Sequence, residues 1–167
     1  AEGLSDPSAT AAGSASAADG AVSVSAVPEV PRSSWTTAGH EVTLSLRPGP
    51  GSSPVQGYEV VVAARGQEPQ AGAPVTACAV GADAEAVTSC VLPRQRRGSW
   101  DVFVRAVNAA GESPWIMGAG VQISSCTDAD AAAGACEEFD TGPGGGFVFY
   151  DAGSRQSWGR YLEAAPK

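Results

Sequence analysis

The stretch from Trp100 to Ser113, WDVFVRAVNAAGES, constrains this chain more than any other. Trp100, Val102, Val104 and Ala106 fall on one face at a period of two, with Asp101 and Arg105 on the other. That alternation predicts a strand, and Asn108, Gly111 and Ser113 supply the turn chemistry that ends it. A strand of this length cannot bury its apolar face alone, so further strands must flank it.

Candidates for those partners follow along the chain. Val22, Val24 and Ala26 alternate into Val27 to Pro31, which reads as a proline-flanked edge strand. His40 to Leu46 alternates and stops at the loop Pro48 to Pro54, and Val55 to Val62 puts Tyr58, Val60 and Val62 on one face. Val75 to Val80 and Ala86 to Leu92 read as two strands joined by Gly81 to Glu85, and Trp115 to Ile123 closes the set. Several short strands with turn signals between them predict an all-β chain, an antiparallel β-sandwich. Residues 1–20, rich in Ala, Ser and Gly, cannot bury enough surface to offset ordering entropy and read as a disordered tether.

The same residues resemble a fibronectin type III domain over about residues 21–124. That family carries Tyr-x-Val-x-Val-x-Ala-x-Asn-x-x-Gly-x-Ser; Val102, Val104, Ala106, Asn108, Gly111 and Ser113 match it, with Trp100 in place of Tyr. Gly57-Tyr58-x-Val60 matches its third strand, and Leu46 stands where it has a core Trp. The resemblance implies an immunoglobulin-like sandwich with altered aromatic packing, in which Trp35 refills part of the lost volume. Residues 125–167 are a different text. Cys126 to Cys136 reads as a disulfide-closed loop, followed by a glycine turn at Gly142 to Gly146. A β-hairpin comes next, made of Phe147 to Tyr150, a turn at Asp151 to Ser154 and a strand from Tyr161. Gly142, Pro143, Gly145, Val148, Phe149, Tyr150 and the run Tyr161 to Pro166 resemble the opening of a secreted bacterial domain found at the C-terminus of collagen-like adhesins. That resemblance implies either the start of a second domain, hence a fragment of a longer protein, or a retained hairpin alone; the fragment is the favoured expectation, because an isolated hairpin is marginal in water.

Charge and cysteines bound the function. A formal net charge of −8 argues against nucleic acid, which needs clustered cations. Arg94, Arg96 and Arg97 form the one basic cluster and read as a solvated loop. No apolar run is long enough to cross a bilayer. Four cysteines permit three pairings; the local ones, Cys78 with Cys90 and Cys126 with Cys136, are the simplest, and neither has zinc-ligand spacing. Disulfides imply an oxidising compartment, so the chain reads as a secreted or cell-surface protein after signal-peptide removal.

Catalytic signals are weak. His40, the only histidine, has no nucleophile motif to serve and reads as a surface strand residue. The glycine run lacks the Lys-Ser/Thr of a phosphate loop. Asp128 and Asp130 begin like a calcium loop, but Phe139 occupies the position of the bidentate Glu; an irregular site using Glu137, Glu138 or Asp140 stays open. No cofactor or metal is expected.

One surface is expected to bind protein. With Tyr58 and Val102 facing the core, Val61, Phe103 and Val107 should point outward as an apolar stripe rimmed by Glu59 and Arg105. The stripe is expected to pack on the hairpin residues Phe147 and Phe149 or on another chain. The expected function is therefore non-catalytic: adhesion or surface-complex assembly. The alternatives are an accessory carbohydrate-binding part of an extracellular enzyme, with Trp35, Trp115 and Trp158 stacking on surface glycan, and a permanent subunit of a cell-envelope assembly. The plainer reading of those tryptophans is that they fill the sandwich ends and the domain junction.

Overall fold

The computed structural model describes residues 26–81 and 86–166. The tether at 1–20, the valines Val22 and Val24 and most of the Gly81 to Glu85 connection lie outside the described residues. The chain is an all-β antiparallel sandwich carrying a small C-terminal segment. Its elements are β1 (Arg32–Ala38), β2 (Glu41–Arg47), β3 (Gly57–Ala64), β4 (Thr76–Ala79), β5 (Thr88–Val91), β6 (Gly98–Asn108), β7 (Gly111–Glu112) and β8 (Ile116–Ile123). After these come α1 (Asp128–Ala132), β9 (Val148–Gln156) and β10 (Gly159–Glu163).

One sheet has the order β1-β2-β5; in the other β6 lies between β3 and β8, β4 pairs with β3, and β7 closes on the end of β6. The organising strand, β6, is thus central. Its alternation has the expected consequence: Val102, Val104 and Ala106 are buried with Tyr58 and Val60 of β3, Val42, Leu44 and Leu46 of β2 and Val121 and Ile123 of β8. Burying a Val or Leu side chain contributes about 1.5–3 kcal/mol, so this interlayer cluster is the main source of stability. The turn after β6 is fixed as its polar residues suggest. Ser113 exchanges hydrogen bonds with the backbone of Ala106, and Asn108 donates to the carbonyls of Ala26 and Pro54.

Four local expectations are corrected. Residues 26–31 form no strand; the edge strand is β1, whose Ser and Thr side chains are almost all exposed. Serine and threonine tolerate solvent at an edge, whereas the two prolines of the expected strand remove ladder donors. Trp35 sits on that edge, 42% exposed, and does not refill the core; Trp100 packs against the core instead. β4 and β5 do not pair with each other. β4 pairs with β3 and β5 with β2, so of the two placements open to Cys78–Cys90, stapling a β4–β5 hairpin or joining strands close to it, the structure has the second, across the two sheets. Finally, Asp151 to Ser154 is strand, and the hairpin turns instead at Ser157 and Trp158.

The C-terminal segment has its own small core of Cys126, Cys136 and Val148, with Ala131 and Tyr161 packed on it. The Cys126–Cys136 disulfide closes its base. Backbone pairing continues into it from the sandwich: Thr141 donates to Ser124 and accepts from Cys126, both at 2.9 Å.

Candidate functional site

The expected stripe on the outer face of β3 and β6 is not exposed. Val61 and Phe103 are only 3% and 7% accessible, and Val107 is half-buried. Val61 and Phe103 lie opposite each other in the register, and Phe103 lies opposite Met117 of β8. Arg105 bonds Glu59 at 2.6 Å and stacks on Trp115, 4.4 Å from the ring centroid. Long neighbours of this kind can cover an apolar pair on a sheet face, so Val61 and Phe103 do not form the exposed stripe that was expected, although Met117 beside them is exposed.

Nor do Phe147 and Phe149 pack there. They are 61% and 55% exposed, as are comparable fractions of Tyr150, Trp158 and Leu162 on the same hairpin. Tyr150 lies opposite Leu162 in register, and its ring is 6.4 Å from that of Trp158. A register shift between Leu162 and Glu163 explains the pattern. The extra residue, Phe149, lets Val148 and Tyr161 turn to the small core while Tyr150 and Leu162 turn away. Trp158 therefore does not fill the domain junction.

The hairpin is held by its base. The glycine run forms a turn in which Gly144 and Gly146 donate backbone N–H groups to the Glu163 carboxylate, at 3.0 and 3.3 Å. A Cβ on Gly142 would lie 2.2 Å from that carboxylate, so this is a close approach only glycine permits. The glycine run is thus the turn that was expected, and its N–H groups bind a carboxylate of the chain itself.

The junction with the sandwich is polar and centres on His40, which is buried (1% accessible) rather than on the surface. It sits at the β1–β2 turn, and every polar group it owns is used. Its N–H donates to Asp130 Oδ2 at 3.0 Å, and its carbonyl accepts from Gln95 at 2.9 Å. Nδ1 lies 2.7 Å from the Gln95 carbonyl and Nε2 lies 2.6 Å from Asp140 Oδ2. Burial alone would lower the pKa of His40, but the bond to Asp140, the Gln95 carbonyl and the charges of Asp140 and Asp130 outweigh it, and the pKa is raised.

The carboxylates come from α1 and the loop after it. Residues 127–135, expected as a loop, contain a one-turn helix nucleated by a capping box between Thr127 and Asp130. Burial would raise the pKa of Asp130; the N–H groups of Thr127 and His40 and the Arg94 side chain, bonded at 2.9 Å, hold it below the usual range. Phe139 takes a left-handed φ of 71° just before Asp140. Asp140 Oδ2 also accepts from Glu137 N–H at 2.8 Å. Arg97 lies 3.6 Å from Asp140 Oδ1, and its N–H donates to Glu137, which also pairs with Arg96. The arginines are solvent-accessible, as expected, and each also faces a carboxylate: Arg94 pairs with Asp130, Arg96 with Glu137 and Arg97 with Asp140. Glu137 faces Arg96 and Arg97, and Asp140 binds through Oδ2 while its buried Oδ1 accepts no hydrogen bond. No group of three or more metal-ligating side chains is arranged to hold a metal among the described residues.

A cavity of about 510 Å³ opens between α1 and the hairpin, lined by Ala131, Gly134, Pro143, Val148, Arg155 and Tyr161 among others. Burial, and then the charge of Asp151, raise the pKa of Tyr161, so its phenol stays protonated there. Arg160 at its rim is held by Asp151 at 2.7 Å.

The sequence reading considered Asp130 and Asp140 only for a calcium site and Trp158 only for stacking on glycan, and it joined neither carboxylate to His40 nor Tyr150 to Trp158. The Thr127-x-x-Asp130 spacing was a readable signal for the helix; nothing in the sequence linked Asp140 to His40, one hundred residues away. No protein-family model matches the chain, and no curated protein is detectably similar to it. Among the described residues no helix is long and apolar enough to cross a membrane.

Proposed function

We propose that this chain is a non-catalytic, secreted or cell-surface module that contacts another protein through the exposed aromatic face of its C-terminal hairpin. The observation that carries this reading is the group of Phe147, Phe149, Tyr150, Trp158 and Leu162, all exposed on a hairpin whose base is closed by a disulfide and the Glu163–glycine contacts. Aromatic side chains on a pre-ordered frame are effective protein contacts because little conformational entropy is lost on binding. Two disulfides support an oxidising location. A fibronectin type III-like assignment is supported by the β1-β2-β5 and β4-β3-β6-β8 layers, and by the Trp100 indole N–H, which bonds the carbonyl of Arg96 at 2.8 Å. That bond runs back to the backbone just upstream, as the tyrosine corner does in immunoglobulin-like sandwiches.

The non-catalytic reading is supported by His40 itself. A His–Asp pair at 2.6 Å resembles half of a catalytic triad, but a general base needs one ring nitrogen free to face a substrate. Here both are taken and the ring is buried.

The test is the double variant Phe149→Ser with Tyr150→Ser, assayed for binding to surface and secreted proteins of the source cells. Binding should fall at least tenfold while the melting temperature stays unchanged. Unaltered binding would remove the hairpin from the interface. The Tyr150–Trp158 pair favours one second reading, stacking on a sugar ring. Glycan-array binding that is lost on Trp158→Ala would replace the protein partner with a carbohydrate.

A further inference from the structure

Both ring nitrogens of His40 face groups that accept. The Gln95 carbonyl at 2.7 Å can only accept, so Nδ1 carries a hydrogen. The 2.6 Å contact from Nε2 to Asp140 needs one proton between the two atoms. Asp140 Oδ2 already accepts the Glu137 N–H, and Arg97 lies 3.6 Å from its other oxygen; these are the surroundings of a carboxylate, which places the proton on the ring. We propose that His40 is a proton-operated latch: a doubly protonated imidazole that holds the C-terminal segment against the end of the sandwich and releases it when the Nε2 proton is lost.

The geometry gives the latch its two positions. His40 belongs to the sandwich, and Asp130 and Asp140 belong to the segment. With the ring charged, Asp140 is bonded at short range in a site where neither partner meets water. With the ring neutral and Nδ1 still held by Gln95, a lone pair on Nε2 would face a carboxylate oxygen at 2.6 Å, which is repulsive. The charged groups around the ring come from every element packed on it. Arg94, Arg96 and Arg97 lie on the β5–β6 loop, Asp130 on α1, and Glu137 (3.7 Å from Nδ1) and Asp140 on the loop beyond. Loss of the ring proton leaves those arginines in place but removes the one cation that is buried beside Asp140.

The sign follows from linkage. His40 has a raised pKa in the folded protein, so its contribution is complete below the unfolded value of about 6.5 and is lost as pH rises through the folded value. Docking is therefore tight around the ordinary histidine value and loosens as pH rises through the raised folded value of His40. The latch does not depend on the hairpin having a partner, and its readouts include none, so either reading can fail alone.

His40 is the only histidine, so long-range nitrogen–proton NMR of the full chain reads its ring without ambiguity. At pH 6 both ring nitrogens should appear protonated, with a titration midpoint above the ordinary histidine value. Hydrogen-exchange protection of α1, β9 and β10, corrected for the intrinsic rate, should fall through the same midpoint. The fall should be about tenfold for each pH unit by which docking raises the midpoint, with β2, β3 and β6 unaffected. Asp140→Asn, whose amide can donate to a neutral ring, should abolish the pH step. An unprotonated ring nitrogen at pH 6 with the segment docked would overturn the latch. Protection that stays flat through the His40 titration, or a pH step retained in Asp140→Asn, would do the same. The NMR titration of the parent chain decides the matter even if the variant fails to fold.

Discussion

The sandwich and the C-terminal segment are held by different physics. The sandwich has a broad apolar layer in which Val42, Leu44, Leu46, Val102, Val104 and Val121 have no solvent access. The segment has one fully buried aliphatic side chain, Val148, beside a disulfide. It relies instead on directional contacts: a capping box, a carboxylate held by glycine N–H groups, and the His40 junction. Apolar burial is roughly proportional to area and tolerant of detail, whereas directional contacts are lost when one atom is misplaced. The two regions should therefore fail separately and for different reasons.

The largest effect is expected from the apolar layer. Leu44→Ala leaves a cavity between the sheets and should cost about 2–5 kcal/mol of global stability, read as a lower denaturant midpoint with an unchanged slope. The amides of the sandwich strands β2, β3, β5, β6 and β8 should lose protection together, and those of the segment, which opens on its own, should change less. A loss confined to β1 and β2 would mean that the sandwich is not one cooperative unit.

A second break lies in the segment alone. Cys126→Ser with Cys136→Ser opens a loop of ten residues' separation, which by loop-closure entropy should cost about 3 kcal/mol. The exchange rates of α1, β9 and β10 should rise by two orders of magnitude while β6 keeps its protection. If β6 loosened equally, the segment would be part of the sandwich's folding unit.

Legibility in the sequence follows the same division. The inward faces of β3 and β6 were readable because period-two alternation reports apolar burial directly, and Tyr58, Val60, Val102, Val104 and Ala106 are all in the core. The outward Phe103 and Val61 were misread because alternation says which face a residue is on, and not whether its neighbours on that face cover it. Edge strand β1 was missed because its Ser and Thr residues carry no apolar signal. The junction was the least legible part. His40, Asp130 and Asp140 meet through tertiary contacts over ninety and one hundred residues of separation, and no local pattern encodes such a meeting.

The smallest and most diagnostic break is Gly39→Ala, at the point where the two regions touch. Gly39 has a φ of +58°, where an alanine is strained by about 1 kcal/mol. A Cβ there would also sit 1.9 Å from Asp130 Oδ2, the oxygen that accepts from His40 N–H and from Thr127. Displacing that oxygen should bring the total to about 2–3 kcal/mol at neutral pH. The two parts separate by pH. Asp130 has a lowered pKa when folded, so its contribution is present above the usual carboxylate value and is lost as pH falls through the folded one. The difference in segment stability between Gly39→Ala and the parent should therefore shrink in acid to the backbone part alone, about 1 kcal/mol. Segment exchange measured at pH 6 and again below pH 3 would show it. A difference that does not change with pH would mean that Gly39 matters for the turn and not for seating Asp130, and that the junction is held by Asp140 alone.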